Sequence, residues 1–119
     1  MAIIYDNDDY NNSNEQVGDK DIVCELCGRS ELTLTRHHLI PQSRHNKAHT
    51  QRTFSRESMR TDIAILCRPC HSQIHRIFDN HELSRYYHTI KRLQGHSEVQ
   101  KFVSWVKKRP VGLKVRVRR

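Results

Sequence analysis

The sequence predicts a small α+β fold: two strands and a helix stapled by a four-cysteine metal site, with additional helices toward the C-terminus. Three observations predict it. Two C-x-x-C pairs, Cys24 with Cys27 and Cys67 with Cys70, sit well apart in the chain. Leu32, Leu34 and Arg36 interleave with Thr33 and Thr35, the two-residue period of a strand. Further on, Val99, Phe102, Val103 and Val106 recur at i, i+3, i+4 and i+7, the spacing of one helix face.

A chain of 119 residues with 35% hydrophobic content has room for one domain with a modest core. A core of that size gains from an added constraint such as a bound metal. The net charge is +8, and it is segregated: residues 1–21 carry six acids and one base, whereas residues 101–119 carry eight bases and no acid. Clustered cations gain affinity for a polyanion by releasing its counterions, so a polyanionic partner is expected, with the basic end the nucleic-acid contact or else a tail that only confers solubility. No stretch is long enough to span a bilayer, and the first residues lack a secretory signal's basic flank and apolar centre. Integral membrane and secreted classes are thereby disfavoured, and a soluble, cytoplasmic protein is expected.

Residues 1–20, rich in Asp and Asn without a sustained apolar period, read as a disordered acidic leader. The expected domain runs from 21 to 110. It starts with a knuckle, Cys24 to Gly28, in which Gly28 supplies backbone freedom for a tight metal loop. A hairpin is expected next, its strand running through His37, His38, Leu39 and Ile40 until Pro41 closes it. Gln42 to Arg60 is polar and basic, and reads as a long loop with room for one helical turn. Asp62 to Leu66 is a short apolar run feeding the second knuckle. Pro69 suits a first helical turn, so a helix is expected from about Pro69 or Cys70, carrying Ile74, Ile77 and Phe78 inward. Short helices are expected over Leu83 to His88 and Thr89 to Leu93, with a break at Gly95. Ser97 with Gln100 has the form of a capping box for the last helix, which Pro110 ends. Residues 111–119 form a basic tail in which Leu113, Val115 and Val117 alternate with Lys114, Arg116 and Arg118, as an edge strand or an arm that orders on nucleic acid.

The four cysteines, with 39 residues between the inner pair, suit a tetrahedral structural zinc in a reducing compartment better than disulfides. Of the nine histidines, His45, His49, His81, His88 and His96 lie in polar contexts and read as surface residues, with His45 or His49 able to touch phosphate. His37 and His38, adjacent on a strand, point opposite ways, whereas His71 and His75 share a helix face. One strand histidine can therefore join the helical pair to hold a divalent ion while the other activates water. By spacing alone, the reading of these histidines as satisfied or zinc-supporting residues stays ahead of the catalytic one.

The succession Cys24-x-x-Cys27, Thr35-Arg-His37-His38-Leu-Ile-Pro41, Asp62-Ile-Ala-Ile-Leu66, Cys67-x-x-Cys70-His71-x-x-x-His75 resembles the HNH endonuclease family, in its four-cysteine zinc variant with a ββα-metal (His-Me finger) core. The resemblance covers about Cys24 to Phe78. It implies a phosphodiester hydrolase in which His38 is the general base, His37 and His71 are metal ligands, and His75 binds metal or the scissile phosphate. Asp62 falls where the family commonly has Asn to brace the loop bearing the base; it accepts hydrogen bonds but has no amide to donate. The implied catalytic set is His38, Asp62 and His75. The implied cofactors are a structural zinc and one divalent ion, Mn²⁺, Ni²⁺, Co²⁺, Zn²⁺ or Mg²⁺, at His37, His71 and His75. Arg44, Lys47, Arg52, Arg56 and Arg60, with Lys107, Lys108 and Arg109, are the expected contacts to the DNA backbone. A zinc-stapled nucleic-acid-binding module without hydrolytic activity is the alternative, and it leaves the four histidines unexplained.

Overall fold

The computed structural model describes residues 16–17, 22–30 and 33–110. Its centre is a three-stranded antiparallel sheet in the order β1 (Gln16–Val17), β2 (Thr33–His38), β3 (Ile63–Cys67). The main ladder pairs β2 with β3, from Leu34 opposite Cys67 to His38 opposite Ile63. β2 is thus not half of a tight local hairpin. Its partner arrives from the far side of residues 39–62, and the knuckle before it contributes only the single bridge of Val23 with Ser30. Within the segment expected to be a leader, Gln16 and Val17 pair with Leu34 and Thr33. The rest of that leader, Leu32 and the basic tail lie outside the described residues.

Residues 42–61, expected as a loop, are largely helical. A 3₁₀ turn at Gln42–Arg44 is followed by α1 (Ala48–Thr53) and α2 (Arg56–Thr61). Each α-helix buries only one residue, Thr50 in α1 and Met59 in α2, so neither leaves an apolar stripe in the sequence. Local hydrogen bonds set them instead: Ser55 Oγ accepts from Ser58 N at 3.0 Å to cap α2.

β3 passes directly into α3 (Arg68–Ile77), with Cys67 at the N-cap and Pro69 in the first turn. Proline costs nothing there, because the first N–H groups have no intrahelical partner. α3 turns Cys70, His71 and Ile74 inward, so strand, strand and helix form one ββα unit. α4 (Asn80–Tyr86) begins three residues earlier than expected, because Asp79 and Glu82 form a reciprocal capping box: Glu82 N donates to Asp79 Oδ1 at 2.7 Å and Asp79 N to Glu82 Oε1 at 3.0 Å. Thr89 caps α5 (Ile90–Gln94). In α6 (Ser97–Val106) the cap is His96, whose Nδ1 accepts from Glu98 N at 3.1 Å, and Ser97 is already helical. The expected Ser97 to Gln100 box is therefore not the one that forms.

The core lies between α3, the sheet and the C-terminal helices. Leu34, Ala64, Leu66, Ile74, Phe78, Leu83, Leu93, Val99 and Val106 share one buried cluster with all four cysteines. α6 packs on α3 and α5, so the later helices cover the outer side of the helix that carries His71 and His75. No helix among the described residues is long and apolar enough to cross a membrane.

Candidate active site and metal centres

The first knuckle is a tight turn closed by Gly28 N donating to Cys24 O at 2.9 Å, which Gly28 permits with φ of 79°. The turn aims two amides, Leu26 N and Cys27 N, at Cys24 Sγ at 3.4 and 3.5 Å. It is docked on the free edge of β3, where Glu25 N donates to Ile65 O at 2.9 Å and Ile65 N donates to Glu25 Oε2 at 2.7 Å. That docking brings Cys24 and Cys27 to Cys67 at the strand end and Cys70 one helical turn on. All four are buried, and their sulfurs lie within 4.8 Å of one another.

The crowding is reflected in the thiols. Cys24, Cys67 and Cys70 hold Cys27 far below the ordinary thiol range, while contact with Cys24 and Cys27 pushes Cys67 and Cys70 far above it. Four sulfurs gathered within 4.8 Å of one another form a donor set that could hold a metal ion. Arg29 adds a cation: Nε donates to Cys27 Sγ at 3.4 Å and Nη2 to Cys67 Sγ at 3.7 Å. Sequence reading missed this residue, whose one signal is its position directly after the knuckle glycine.

A second set of metal-ligand type lies on the other side of β3. His37 and Thr35, two apart on β2, are both buried beneath α3, where His71 and His75 project from one face. The three rings form a near-equilateral triangle, with centroids 5.1 Å (His37 to His71), 5.2 Å (His37 to His75) and 5.0 Å (His71 to His75) apart. One nitrogen from each lies within 4.8 Å of the others, close enough to hold a metal ion. The four cysteines and the three histidines are thus two separate groups.

Thr35, also missed from sequence, orients one ring. Its hydroxyl donates to Leu66 O at 2.9 Å, so its oxygen is left to accept from His71 Nδ1 at 2.7 Å. That chain places the ring proton on Nδ1 and the lone pair on Nε2, the arrangement a metal-ligating imidazole needs. Thr35→Val, which keeps the shape and removes the hydroxyl, is expected to weaken divalent-ion binding at the histidine triad by about 10- to 100-fold, read by calorimetric titration. Thr35→Ser should restore it.

His38, next along β2, faces away from His37 and is half-buried. It lines a cleft of about 470 Å³ with Gln42, His45, Asn46, Gln51, Arg56, Met59 and Arg60. Residues expected to form a loop thus line the same cleft as the base candidate. Asp62 braces this region through its backbone: its carbonyl accepts from Leu39 N at 3.0 Å, while the residue itself is exposed. A backbone carbonyl supplies this contact whatever the side chain, so it is not the side-chain brace expected of Asp62. His45 is no simple surface residue, since its Nε2 donates to Ile40 O at 2.7 Å and holds the turn after the strand. His96 and His88 are likewise packed, against Phe78 and Tyr87 and against Phe54 respectively. Burial and Arg92 hold His88 below the ordinary imidazole range.

Of the basic residues singled out, Arg56 and Arg60 stand in the cleft with His38. Arg44, Lys47 and Arg52 belong to the same helical segment outside the cleft wall. Lys107 and Lys108 are exposed after α6, and Arg109 stacks over Trp105 at 4.8 Å.

The HNH endonuclease family matches residues 24–76, a span that holds both cysteine pairs, His37, His38, His71 and His75. The chain is also 39% identical over 88 residues to the uncharacterized protein YisB of Bacillus subtilis (strain 168), a match covering 74% of this chain and 76% of that protein. This chain belongs to the HNH endonuclease family. Its ββα unit with a cysteine-bounded metal site is the HNH ββα-metal fold. The relative carries no assigned activity, and no solved structure matches.

Proposed function

We propose that this HNH protein is a metal-dependent DNA endonuclease that hydrolyses phosphodiester bonds with His38 as general base. The observation that supports it best is the convergence of His37, His71 and His75 at the strand end whose next residue, His38, opens into a cleft flanked by Arg56 and Arg60. A zinc-stapled binding module has no use for three imidazoles, two of them buried, gathered away from its four cysteines.

The donor set fits a divalent transition ion. Imidazole nitrogen suits Mn²⁺, Ni²⁺, Co²⁺ and Zn²⁺ better than Mg²⁺, which prefers oxygen, and three protein ligands leave positions open for substrate. Bound by His37, His71 and His75, such an ion supplies positive charge that offsets what develops on the phosphate and the departing 3′ oxygen. His38 Nδ1 is buried, so Nε2 is the nitrogen that meets water in the cleft and accepts its proton as the water attacks phosphorus. Asp62, through its carbonyl on Leu39 N, positions the backbone beside His38. His75 holds the ion or a phosphate oxygen.

Arg56 and Arg60, one helical turn apart, hold the backbone in the cleft, and Arg44, Lys47 and Arg52 extend that grip. Lys107, Lys108 and Arg109 act as a second backbone contact at the end of α6. The four cysteines hold a structural zinc, and residues 21–110 form the nuclease domain between an acidic leader and a basic tail.

Incubation of the zinc-retaining protein with supercoiled plasmid tests the reading. Nicking is expected with added Mn²⁺ or Ni²⁺ and none in EDTA. DNA binding without nicking in Mg²⁺, Mn²⁺, Ni²⁺, Co²⁺ or Zn²⁺ would return the chain to the binding-module alternative.

A further inference from the structure

The cleft beside His38 has more chemistry than a backbone clamp requires. Arg56 and Arg60 suffice to grip phosphates, yet the same cleft is lined by three carboxamides, Gln42, Asn46 and Gln51, and by Met59, which is only 8% exposed. Backbone contacts position a nucleic acid and carry no sequence information, whereas base edges are read by groups that donate and accept side by side. A carboxamide is such a group, and its two-point match is the N6 and N7 edge of adenine.

The wall is also held in place. Gln51 Nε2 donates to His45 O at 3.2 Å, leaving its second amide hydrogen and Oε1 for a ligand. His45 is fixed in turn by Nε2 donating to Ile40 O, and Asn80 Nδ2 donates to Ser43 Oγ at 3.2 Å, tying the 3₁₀ turn to α4. At about 470 Å³ the cleft is within the range of small-molecule sites and holds a nucleotide. It offers an apolar floor for a base, carboxamides for its edge and guanidinium groups for its phosphates.

We infer that this cleft is a base-reading subsite: Gln42, Asn46 and Gln51 hydrogen-bond the edge of a base flanking the scissile phosphate, adenine being the best match, while Arg56 and Arg60 hold the adjoining phosphates. The inference rests on the nuclease reading for the position of the scissile phosphate. It gives the segment 42–61 a role in substrate choice, separate from chemistry.

Selection of bound duplexes from a randomised DNA pool, with no divalent ion added so that binding is read without cutting, tests it. Wild type should enrich adenine at one or two adjacent positions, with about fivefold to a hundredfold discrimination against other bases. Gln42→Ala combined with Gln51→Ala should flatten that enrichment while leaving binding to the unselected pool largely intact. Arg56→Ala should weaken binding to all sequences alike and keep the enrichment. A pool that stays flat with wild type, or an enrichment that survives in the double variant, overturns the subsite. Plasmid cleavage is scored separately: flat binding with metal-dependent cutting removes the subsite alone, and enrichment without cutting removes the nuclease reading alone.

Discussion

Stripping the metal from the four-cysteine centre is expected to unfold the protein. All four sulfurs lie inside the main apolar cluster, with Leu34, Ala64 and Leu66 around them, and they join three separate elements: the first knuckle, the end of β3 and the first turn of α3. A structural zinc contributes on the order of 10 kcal/mol to a small domain, comparable to its whole stability. Its removal leaves four buried sulfurs with Arg29 beside them and no ion to join them. Without the ion the knuckle keeps the hydrogen bonds exchanged between Glu25 and Ile65, the Arg29 contact to Cys67 and the burial of Leu26, less than a bound metal supplies. Circular dichroism and a thermal melt before and after chelation give the readout, with Cys67→Ser as the genetic counterpart. Loss of the cooperative transition is expected in both. A chelated protein that still melts cooperatively near the holo temperature would remove the cysteines from the folding argument. Arg29→Ala makes a graded version: the fold persists with metal, while zinc is surrendered to a competing chelator about 10- to 100-fold more readily.

What was legible in the sequence follows from how each feature is encoded. Cysteine pairs and an i, i+4 histidine pair announce themselves because metal ligands need fixed spacing on a turn or helix. The α6 stripe was legible because ten residues allow Val99, Phe102, Val103 and Val106 to repeat. The helices of residues 42–61 were not, since six-residue elements that bury a single side chain each leave no period to detect. Ser55 before Glu57 and Asp79 before Glu82 were capping signals that could have found α2 and the start of α4. The pairing of β2 with β3 across residues 39–62 is a long-range fact that alternation alone cannot reveal.

The gathering of His37 with His71 and His75 could be reasoned from strand and helix geometry, but what supports those rings could not. Thr35 became visible only once Leu66 O and His71 Nδ1 were seen converging on its hydroxyl. Arg29 likewise acts through a partner 38 residues away. The cleft is the same kind of case: Gln42, Asn46 and Gln51 looked like polar loop residues until the fold set them in one cleft with His38.

Replacing His38 by Ala is expected to abolish most cleavage while leaving the molecule intact. The side chain is half-buried at a strand end and belongs to neither the buried apolar cluster nor either metal-ligand group, so its loss removes no ligand. Melting temperature, bound zinc and affinity for DNA should therefore stay close to wild type. Removing a general base costs about 10²- to 10⁴-fold in rate. His37→Ala separates the two roles, because it should weaken binding of the divalent ion at the triad, whereas His38→Ala should not. Cleavage by His38→Ala at more than about a tenth of the wild-type rate, below the smallest loss a general base accounts for, would move the proton-accepting role to another group in the cleft, with His45 the first candidate.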